Sequence, residues 1–365
     1  MLETDLIGEP MDREVDITRR ALSALRARLP ADWSMSDKLD ARLGGRRADA
    51  LVEVRAPSGE TVTLVAECRR SLVAREVPAI LSQLEEYRAE VDGPTVPVVI
   101  ARYLSPSVRQ RLEDNGASYA DATGNLRLTA LRPALFLGDR GADKDPWRGP
   151  GRPRDTLKGV PAARVVRALT DCTPPMSVPD LVKLSGASTG ATYRVVELLE
   201  KEGLVERAAN GKIHIVAWRK LLQRWSKDYS FAGAGGHRRH LAPRGLPALE
   251  AALRQGPGVR YALTGSLAAR HWAPYAQPRL AMLYVDDPDR AVDDWDLRPV
   301  EAGANVILAV PDSDVVYQRT VNRDGLTLAA PSQVVVDLLT GPGRSPSEAN
   351  YLLDWMEAHE PDWRG

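Results

Sequence analysis

The pattern of apolar and polar positions over the first 137 residues alternates between helical and strand spacing. Helical spacing recurs over 12–29 and 77–91, and strand-like apolar runs stand at 50–54, 62–66 and 96–101. The first two runs flank a turn-forming Pro-Ser-Gly-Glu segment, which predicts a hairpin. The third run is continuously apolar, as expected of a strand buried on both faces. The pattern therefore predicts an α/β domain over residues 1–137.

The middle of the chain predicts three helices followed by a hairpin. The helical segments are Ala162–Thr170, the residues that follow Ser177, and the stretch from Ser188 to Glu202. Ser188 is a candidate helix cap, and Gly186 stands where a turn is needed. Two apolar runs then flank Asn210-Gly211, a pair typical of tight hairpins because both residues tolerate positive φ. Three helices and a two-stranded hairpin indicate a winged helix-turn-helix, predicted over 160–230.

The remaining segments complete a multidomain α+β or α/β chain. Residues 138–159 are rich in proline, glycine and arginine and predict an extended basic linker. Residues 231–245 contain Gly-Ala-Gly-Gly-His-Arg-Arg-His, which predicts a flexible basic connector. Mixed helical and strand spacing returns over 246–365 and predicts a third folded domain of the α/β type.

A net charge of zero conceals a strong internal asymmetry. Basic and acidic side chains number 22 and 24 over residues 1–150, 17 and 8 over 151–245, and 10 and 17 over 246–365. A basic segment between two acidic ones is the electrostatic pattern of a module that binds a polyanion. Charge alone leaves open the alternative of an ordinary solvated surface rich in arginine.

The predicted third helix carries polar side chains where a winged helix contacts bases. In such folds this helix enters the major groove, and its first turns meet the base edges. The candidates on the helix are Ser188, Thr189, Thr192, Tyr193 and Arg194. Arg194 has the bidentate geometry that suits guanine. The candidates for phosphate contacts are Arg207, Asn210 and Lys212 on the wing, with Arg152, Arg154, Arg238 and Arg239 on the two flanks. The predicted partner is double-stranded DNA, although winged helices also mediate protein contacts.

Several segments of residues 160–365 resemble one family of bacterial regulators. They are GASTGATYRVVELLEKEGLVER, VAWRKLLQRWSKDY, YALTGSLAARHWAP, GANVILAVPD and SQVVVDLLTGPGR. They are similar to the AbiEi antitoxins of type IV toxin–antitoxin systems, whose actinobacterial members carry a nucleotidyltransferase-like fold behind the winged helix. The resemblance implies an antitoxin-type transcription factor. In the better-known antitoxins the winged helix comes first, whereas here a whole domain precedes it.

The nucleotidyltransferase-like segment lacks a complete set of catalytic groups. Gly265-Ser266 fits the turn that holds a triphosphate in such enzymes, and two acids on the next strand would bind Mg²⁺. Asp286 and Asp287 come only at the far end of that strand, and adjacent side chains on a strand point to opposite faces. We therefore expect a degenerate, non-catalytic domain.

The first domain raises a second enzymatic hypothesis. Asp49 and the segment Glu67-Cys68-Arg69 resemble the Asp…Glu-x-Lys core of restriction-endonuclease-like nucleases. Folding the hairpin brings Asp49 within one register step of Glu67, where two carboxylates could hold Mg²⁺. Arg69 stands in the lysine position, and its guanidinium cannot give up a proton. The sequence favours an inactive nuclease-like fold and a protein that is not an enzyme, with a metal-dependent nuclease as the alternative.

Other features narrow the class of protein. His237 and His240 have no further ligand nearby, and Cys68 and Cys172 have no metal-site spacing, so no metal or other cofactor is predicted. No apolar run is long enough to cross a bilayer and no secretory signal is visible, which predicts a cytoplasmic, nucleoid-associated protein without membrane partners. A cognate toxin, or self-association through the flanking domains, is the predicted protein partner.

Overall fold

A computed structural model of the 365-residue chain describes residues 13–147, 156–231, 236–255 and 258–365. The backbone divides into two compact units, Met1–Arg152 with Lys201–Gly203, and Pro153–Glu200 with Leu204–Gly365. The clusters of buried apolar side chains in the described ranges follow this division, with two clusters in the first unit and one in the second. Within the same ranges, no helix is long and apolar enough to cross a membrane.

The first unit is a seven-stranded sheet with helices on both faces. Its helices are α1 (Glu14–Arg26), α2 (Val77–Arg88) and α3 (Pro106–Asp114). Its strands, in chain order and also in spatial order, are β1 (Ser34–Leu43), β2 (Arg46–Arg55), β3 (Thr61–Arg69), β4 (Thr95–Ala101), β5 (Ser118–Asp121), β6 (Leu126–Leu131) and β7 (Ala134–Asp139). The pairs β3–β4 and β4–β5 are parallel, and the other neighbours are antiparallel.

The central strands are apolar on both sides because both sides are covered. On β4, Val98 and Ile100 join the cluster that α1 contributes to, whereas Val99 joins the cluster built with α2 and α3. Successive strand residues point to opposite faces, so a strand between two helical layers needs a continuous apolar run. The predicted α/β architecture is observed, and the predicted hairpin is longer, with β1 added at its edge.

The predicted linker over 138–159 starts later than expected. Its first two residues complete β7, and the next ones are tied to a buried side chain, Asn125. The amide of Asn125 accepts a hydrogen bond from the Gly141 N–H (2.9 Å) and donates one to the Ala142 carbonyl (3.0 Å). These bonds hold the segment against the sheet, a non-local contact that composition does not reveal. Residues 148–155 lie outside the described part of the chain.

The second unit contains a winged-helix region and a second seven-stranded sheet. Its helices are α4 (Val160–Asp171), α5 (Val178–Ser185), α6 (Thr189–Lys201), α7 (Trp218–Trp225), α8 (Leu246–Arg254), α9 (Gly265–Ala269), α10 (Pro288–Asp294), α11 (Pro331–Leu339), α12 (Ser345–Ala358) and α13 (Glu360–Trp363). Its strands are β8 (Val205–Arg207), β9 (Ile213–Val216), β10 (His237–Leu241), β11 (Tyr261–Thr264), β12 (Ala281–Val285), β13 (Arg298–Pro299), β14 (Val306–Ala309), β15 (Val321–Arg323) and β16 (Leu326–Leu328).

The winged-helix region and the second sheet share one hydrophobic core. The sheet order is β13-β10-β14-β12-β11-β16-β15, and β8 and β9 form a separate hairpin. Buried side chains of α4 and α7, among them Leu169 and Leu222, belong to the same cluster as Val334 and Leu338 of α11. The boundary predicted between 230 and 246 is therefore not a boundary between compact units. The apolar faces of α4 and α7 are buried against the C-terminal helices.

The connector predicted over 231–245 contains a strand. His237–Leu241 forms β10, which pairs antiparallel with β14 on one side and β13 on the other. His240, at its buried end, is only 3% exposed. The sequence HRRHL has no apolar alternation, so its neighbours in the sheet determine its conformation rather than its own propensity. Residues 232–235, which precede the strand, lie outside the described ranges.

Candidate nucleic-acid interface

Helix α6 follows a turn after α5, and the ends of both helices at this turn are capped. Ser177 opens α5 with a reciprocal capping box: its hydroxyl accepts from the Asp180 N–H (3.2 Å), and the Asp180 carboxylate accepts from the Ser177 N–H (3.1 Å). Gly186 ends α5 with φ of +62°, a conformation that glycine adopts readily. The Ser188 hydroxyl then accepts from the Ala191 N–H at the start of α6 (3.4 Å). The predicted helix–turn–helix is confirmed.

The first two turns of α6 present a continuous exposed row. Ser188, Thr189, Gly190, Tyr193 and Arg194 are all exposed, and Tyr193 retains 47% of its accessible surface. A Cβ atom added at Gly190 would meet nothing within 4 Å, so this position leaves room for close approach of a ligand backbone. In a helix-turn-helix protein these are the turns that contact base edges.

Thr192 does not belong to this row, contrary to the sequence prediction. Its side chain has no exposed surface, and its hydroxyl donates to the Ser188 carbonyl (3.1 Å). A threonine hydroxyl can satisfy itself on the preceding helical turn, and its methyl group can then face the core. Thr192 therefore supports the start of the helix and cannot contact DNA.

The wing is a two-stranded hairpin as predicted, with a different turn. Only Gly211 adopts positive φ (+77°), whereas Asn210 does not. The side-chain oxygen of Asn210 accepts instead from the Lys212 N–H (3.0 Å), which stiffens the tip. Asn210 and Lys212 are both exposed, and so are His214 and Ile215 on the following strand, two positions that our sequence analysis did not single out. They lie between Ile213 and Val216 of the same strand, which are both buried in the hydrophobic core.

Arg207, predicted to bind phosphate, is paired within the protein. Its Nε and Nη2 atoms donate to the two carboxylate oxygens of Glu200, each at 2.7 Å. This bidentate pair joins the wing to α6 and raises the pKa of Arg207.

The geometry of residues 160–217 is thus that of a winged helix-turn-helix. Residues 162–209 match the IclR helix-turn-helix domain. The match begins in α4, contains α5 and α6, and ends in the wing. It covers a minor part of the chain, and it supports a DNA-binding transcriptional regulator. A search of curated proteins and a search of solved structures each gave no match.

The basic segment that follows the helix-turn-helix domain differs from the flexible connector that the sequence predicts. Arg152 and Arg154 lie outside the described residues. Arg238 and Arg239 are exposed on β10, and Arg238 is ion-paired with Asp289 (2.5 Å). Two of the four predicted flanking contacts are therefore fixed in a sheet and cannot follow the DNA backbone as a flexible segment could.

The nuclease-like residues of the first unit do come together. Asp49 and Glu67 lie next to Ala50 and Ala66, respectively, which pair across β2 and β3, and Asp49 accepts a hydrogen bond from the Cys68 N–H (2.7 Å). Glu67 is 6% exposed, and its Oε1 atom accepts from Arg69 (2.6 Å) and from Gln83 (2.9 Å). Its Oε2 atom is buried without a hydrogen-bond partner. Burial raises the pKa of both Asp49 and Glu67. No group of three or more His, Cys, Asp or Glu side chains suited to a metal occurs within the described ranges.

The nucleotidyltransferase-like residues of the second unit are engaged in local structure. Ser266 donates a hydrogen bond to the Glu348 carboxylate. All five residues of β12 are buried, and Met282 stands beside the Gly-Ser turn where an acid would be needed. Asp286 and Asp287 follow the opposite end of β12, and Asp287 caps α10. The arrangement leaves Ser266 without a neighbouring acid pair on this strand.

Two polar side chains, one buried and one partly buried, join the helix-turn-helix domain to the C-terminal helices. Arg167 of α4 is 1% exposed and donates to the side chain of Gln333 on α11 (3.0 Å). Tyr229, just after α7, donates to the carboxylate of Asp337 on α11 (2.9 Å). Polar groups buried in this way need defined partners, so they fix the position of α4 and α7 on the C-terminal part.

Proposed function

We propose that this protein is a sequence-specific DNA-binding transcriptional regulator of the AbiEi antitoxin type and that it is not an enzyme. Helix α6 lies in the major groove of double-stranded DNA, and the wing contacts flanking phosphates. The observation that carries the proposal is the exposed row on α6, which stands at the capped start of the third helix inside the IclR helix-turn-helix match. Exposed hydroxyl, phenol and guanidinium groups at this place suit base edges and phosphates.

Arg194→Ala is expected to weaken binding to the preferred sequence by about 1–3 kcal/mol and to relax base preference at one position. The reason is that a guanidinium on the second turn of α6 can donate both arms to guanine O6 and N7. Electrophoretic shift titrations on matched and single-base-changed duplexes measure this loss. Arg298→Ala, which removes an exposed arginine on β13, is the matched control and should bind as the wild type does.

Lys212→Ala is expected to lower affinity evenly across sequences and to reduce the slope of log K against log salt by about 1. A wing-tip lysine contributes through counterion release, which carries no sequence information. Titrations at four salt concentrations measure the slope. An unchanged slope would place the phosphate contacts away from the wing.

The antitoxin assignment rests on the resemblance of residues 160–365 and on the departures from catalytic geometry at Ser266 and Arg69. A regulator of this type would repress its own promoter and would associate with, or neutralise, a toxin encoded beside it. Co-expression with the adjacent gene tests both points. Loss of growth inhibition by the neighbour supports the assignment, and continued inhibition together with an unrepressed promoter contradicts it.

A metal-dependent nuclease is the second candidate function, and one observation favours it. The Oε2 atom of Glu67 is buried without a hydrogen-bond partner, and the charge of Asp49 is near enough to help raise the pKa of Glu67. Two carboxylates could ligate a divalent cation there, but the Arg69 guanidinium cannot act as a base. We therefore expect no cleavage of plasmid DNA with Mg²⁺ or Mn²⁺. Metal-dependent cleavage that disappears in Glu67→Gln would overturn the non-catalytic proposal.

A further inference from the structure

Arg207 and Glu200 form a direct side-chain bridge between the wing and helix α6. Glu200 belongs to α6 with 11% of its side chain exposed, and Arg207 ends β8 with 37% exposed. The register of the wing hairpin shifts between Glu206 and Arg207, an irregularity that changes where the arginine side chain points. The fork of the guanidinium then meets the carboxylate at two distances of 2.7 Å. This geometry is more specific than a single exposed ion pair.

The same arginine lies beside a side of α6 that carries two acids. Tyr193, Glu197 and Glu200 are spaced four and three residues apart, so they occupy one side of α6. Hydrogen bonding to Glu200, with a smaller electrostatic contribution from Glu197, raises the pKa of Arg207. A nearly buried carboxylate that lost this partner would remain as an unpaired charge next to the proposed DNA surface. Arg207 is therefore tied to Glu200 by charge as well as by geometry.

We propose that Arg207 is a positioning residue for DNA binding: through Glu200 it sets the angle of the wing against α6, so that Asn210 and Lys212 reach the phosphates while α6 occupies the groove. It acts on DNA through Glu200 rather than by its own phosphate contact. This inference rests on the proposed DNA-binding function. A DNA-binding surface has no evident use for an acid such as Glu200. The inference gives this residue a role in binding.

Glu200→Gln separates this role from a direct phosphate contact. If Arg207 positions the wing, Glu200→Gln weakens binding to the selected duplex by about five- to tenfold, because the charged half of the bridge is lost. If Arg207 binds phosphate itself, Glu200→Gln frees the guanidinium, and affinity stays the same or rises. Arg207→Met weakens binding in both cases, and Glu206→Gln, at the neighbouring exposed acid, serves as the matched control. Thermal unfolding of each variant verifies that it is folded.

A double-mutant cycle between Glu200→Gln and Lys212→Ala provides the second readout. Glu200 lies on α6 and Lys212 on the wing. If the loss of Glu200 loosens the wing, the Lys212 contact should contribute little to the affinity for DNA. We expect Lys212→Ala to have at least a threefold smaller effect in the Glu200→Gln background than in the wild type, because energetically linked sites are not additive. Equal effects in the two backgrounds would overturn the inference. If wild-type protein shows no preference for any duplex, the proposed function fails and this inference falls with it. Normal wild-type binding with an unaffected Glu200→Gln overturns the inference alone.

Discussion

Arg167→Met is expected to lower the free energy of unfolding of the second unit by about 3–5 kcal/mol, the cost of breaking a buried ion pair by removing one partner. The guanidinium is 1% exposed and donates to Asp171 at 2.9 and 2.8 Å. It also donates to the carbonyls of Val315 (3.1 Å) and Gln318 (3.1 Å) and to the side chain of Gln333. Methionine fills much of the volume but leaves an acid and two carbonyls without these donors.

Tryptophan fluorescence during urea unfolding measures this loss, since six of the eight tryptophans lie in the second unit. Arg238→Met is the matched control. It removes an arginine from an ion pair in which both side chains are more than half exposed, so it should cost less than about 1 kcal/mol. An Arg167→Met protein as stable as this control would contradict the view that buried polar contacts join α4 to the C-terminal helices.

The stability of the second unit is expected to depend on pH through Asp337. This carboxylate has no exposed surface and accepts hydrogen bonds from Thr264 (2.6 Å), Tyr284 (2.7 Å), Tyr229 (2.9 Å) and Gln333 (3.1 Å). Burial outweighs these donors and raises the pKa of Asp337 from 3.8 to about 6. The folded state therefore binds the proton more tightly than the unfolded state does. Proton binding by Asp337 adds almost nothing to the free energy of unfolding well above pH 6. Its contribution grows as the pH falls towards 4.

Relative to Asp337→Asn, the wild type should gain about 2 kcal/mol of unfolding free energy between pH 7.5 and pH 4.5. The comparison with the asparagine variant cancels the titration of all other groups, and any constant loss caused by the substitution does not alter the slope. Urea unfolding of both proteins at the two pH values gives the difference. Parallel pH dependence in the two proteins would show that Asp337 does not titrate in this range.

Local signals were sufficient to predict the helix-turn-helix domain from the sequence. Ser177, Gly186 and Ser188 cap helices through contacts with residues a few positions away, and Gly211 provides the turn of the wing. Such contacts depend only on residues that are neighbours in the sequence. A local sequence pattern is therefore enough to predict them. The exposed row on α6 followed from the same helix boundaries.

Thr192 shows where a polar residue misled the prediction although the pattern was available. It lies three residues before Val195 and seven before Leu199, both buried, so helical periodicity places it on the inward stripe of α6. A side-chain hydroxyl is therefore not by itself a sign of exposure. The hydroxyl in fact bonds the preceding turn, which removes the need for water.

The remaining differences arise from contacts between distant segments. Strand β10 forms because β13 and β14 lie beside it, and Arg207, on the wing, is ion-paired with Glu200 of α6. The shared core of the winged helix and the C-terminal sheet depends on α11, more than 150 residues beyond α4. Periodicity and turn chemistry contain no information about such pairings, so the sequence could not have predicted them.

The central claim is that helix α6 recognises a DNA sequence, and the ratio of two dissociation constants tests it most directly. The full chain is used to select a duplex from a random library, and its affinity is then compared with that for a scrambled duplex at fixed salt. We expect the selected duplex to bind at least about 10³ times more tightly, with the ratio reduced at least tenfold by Arg194→Ala. Equal binding of both duplexes, unchanged by the substitution, would contradict the claim.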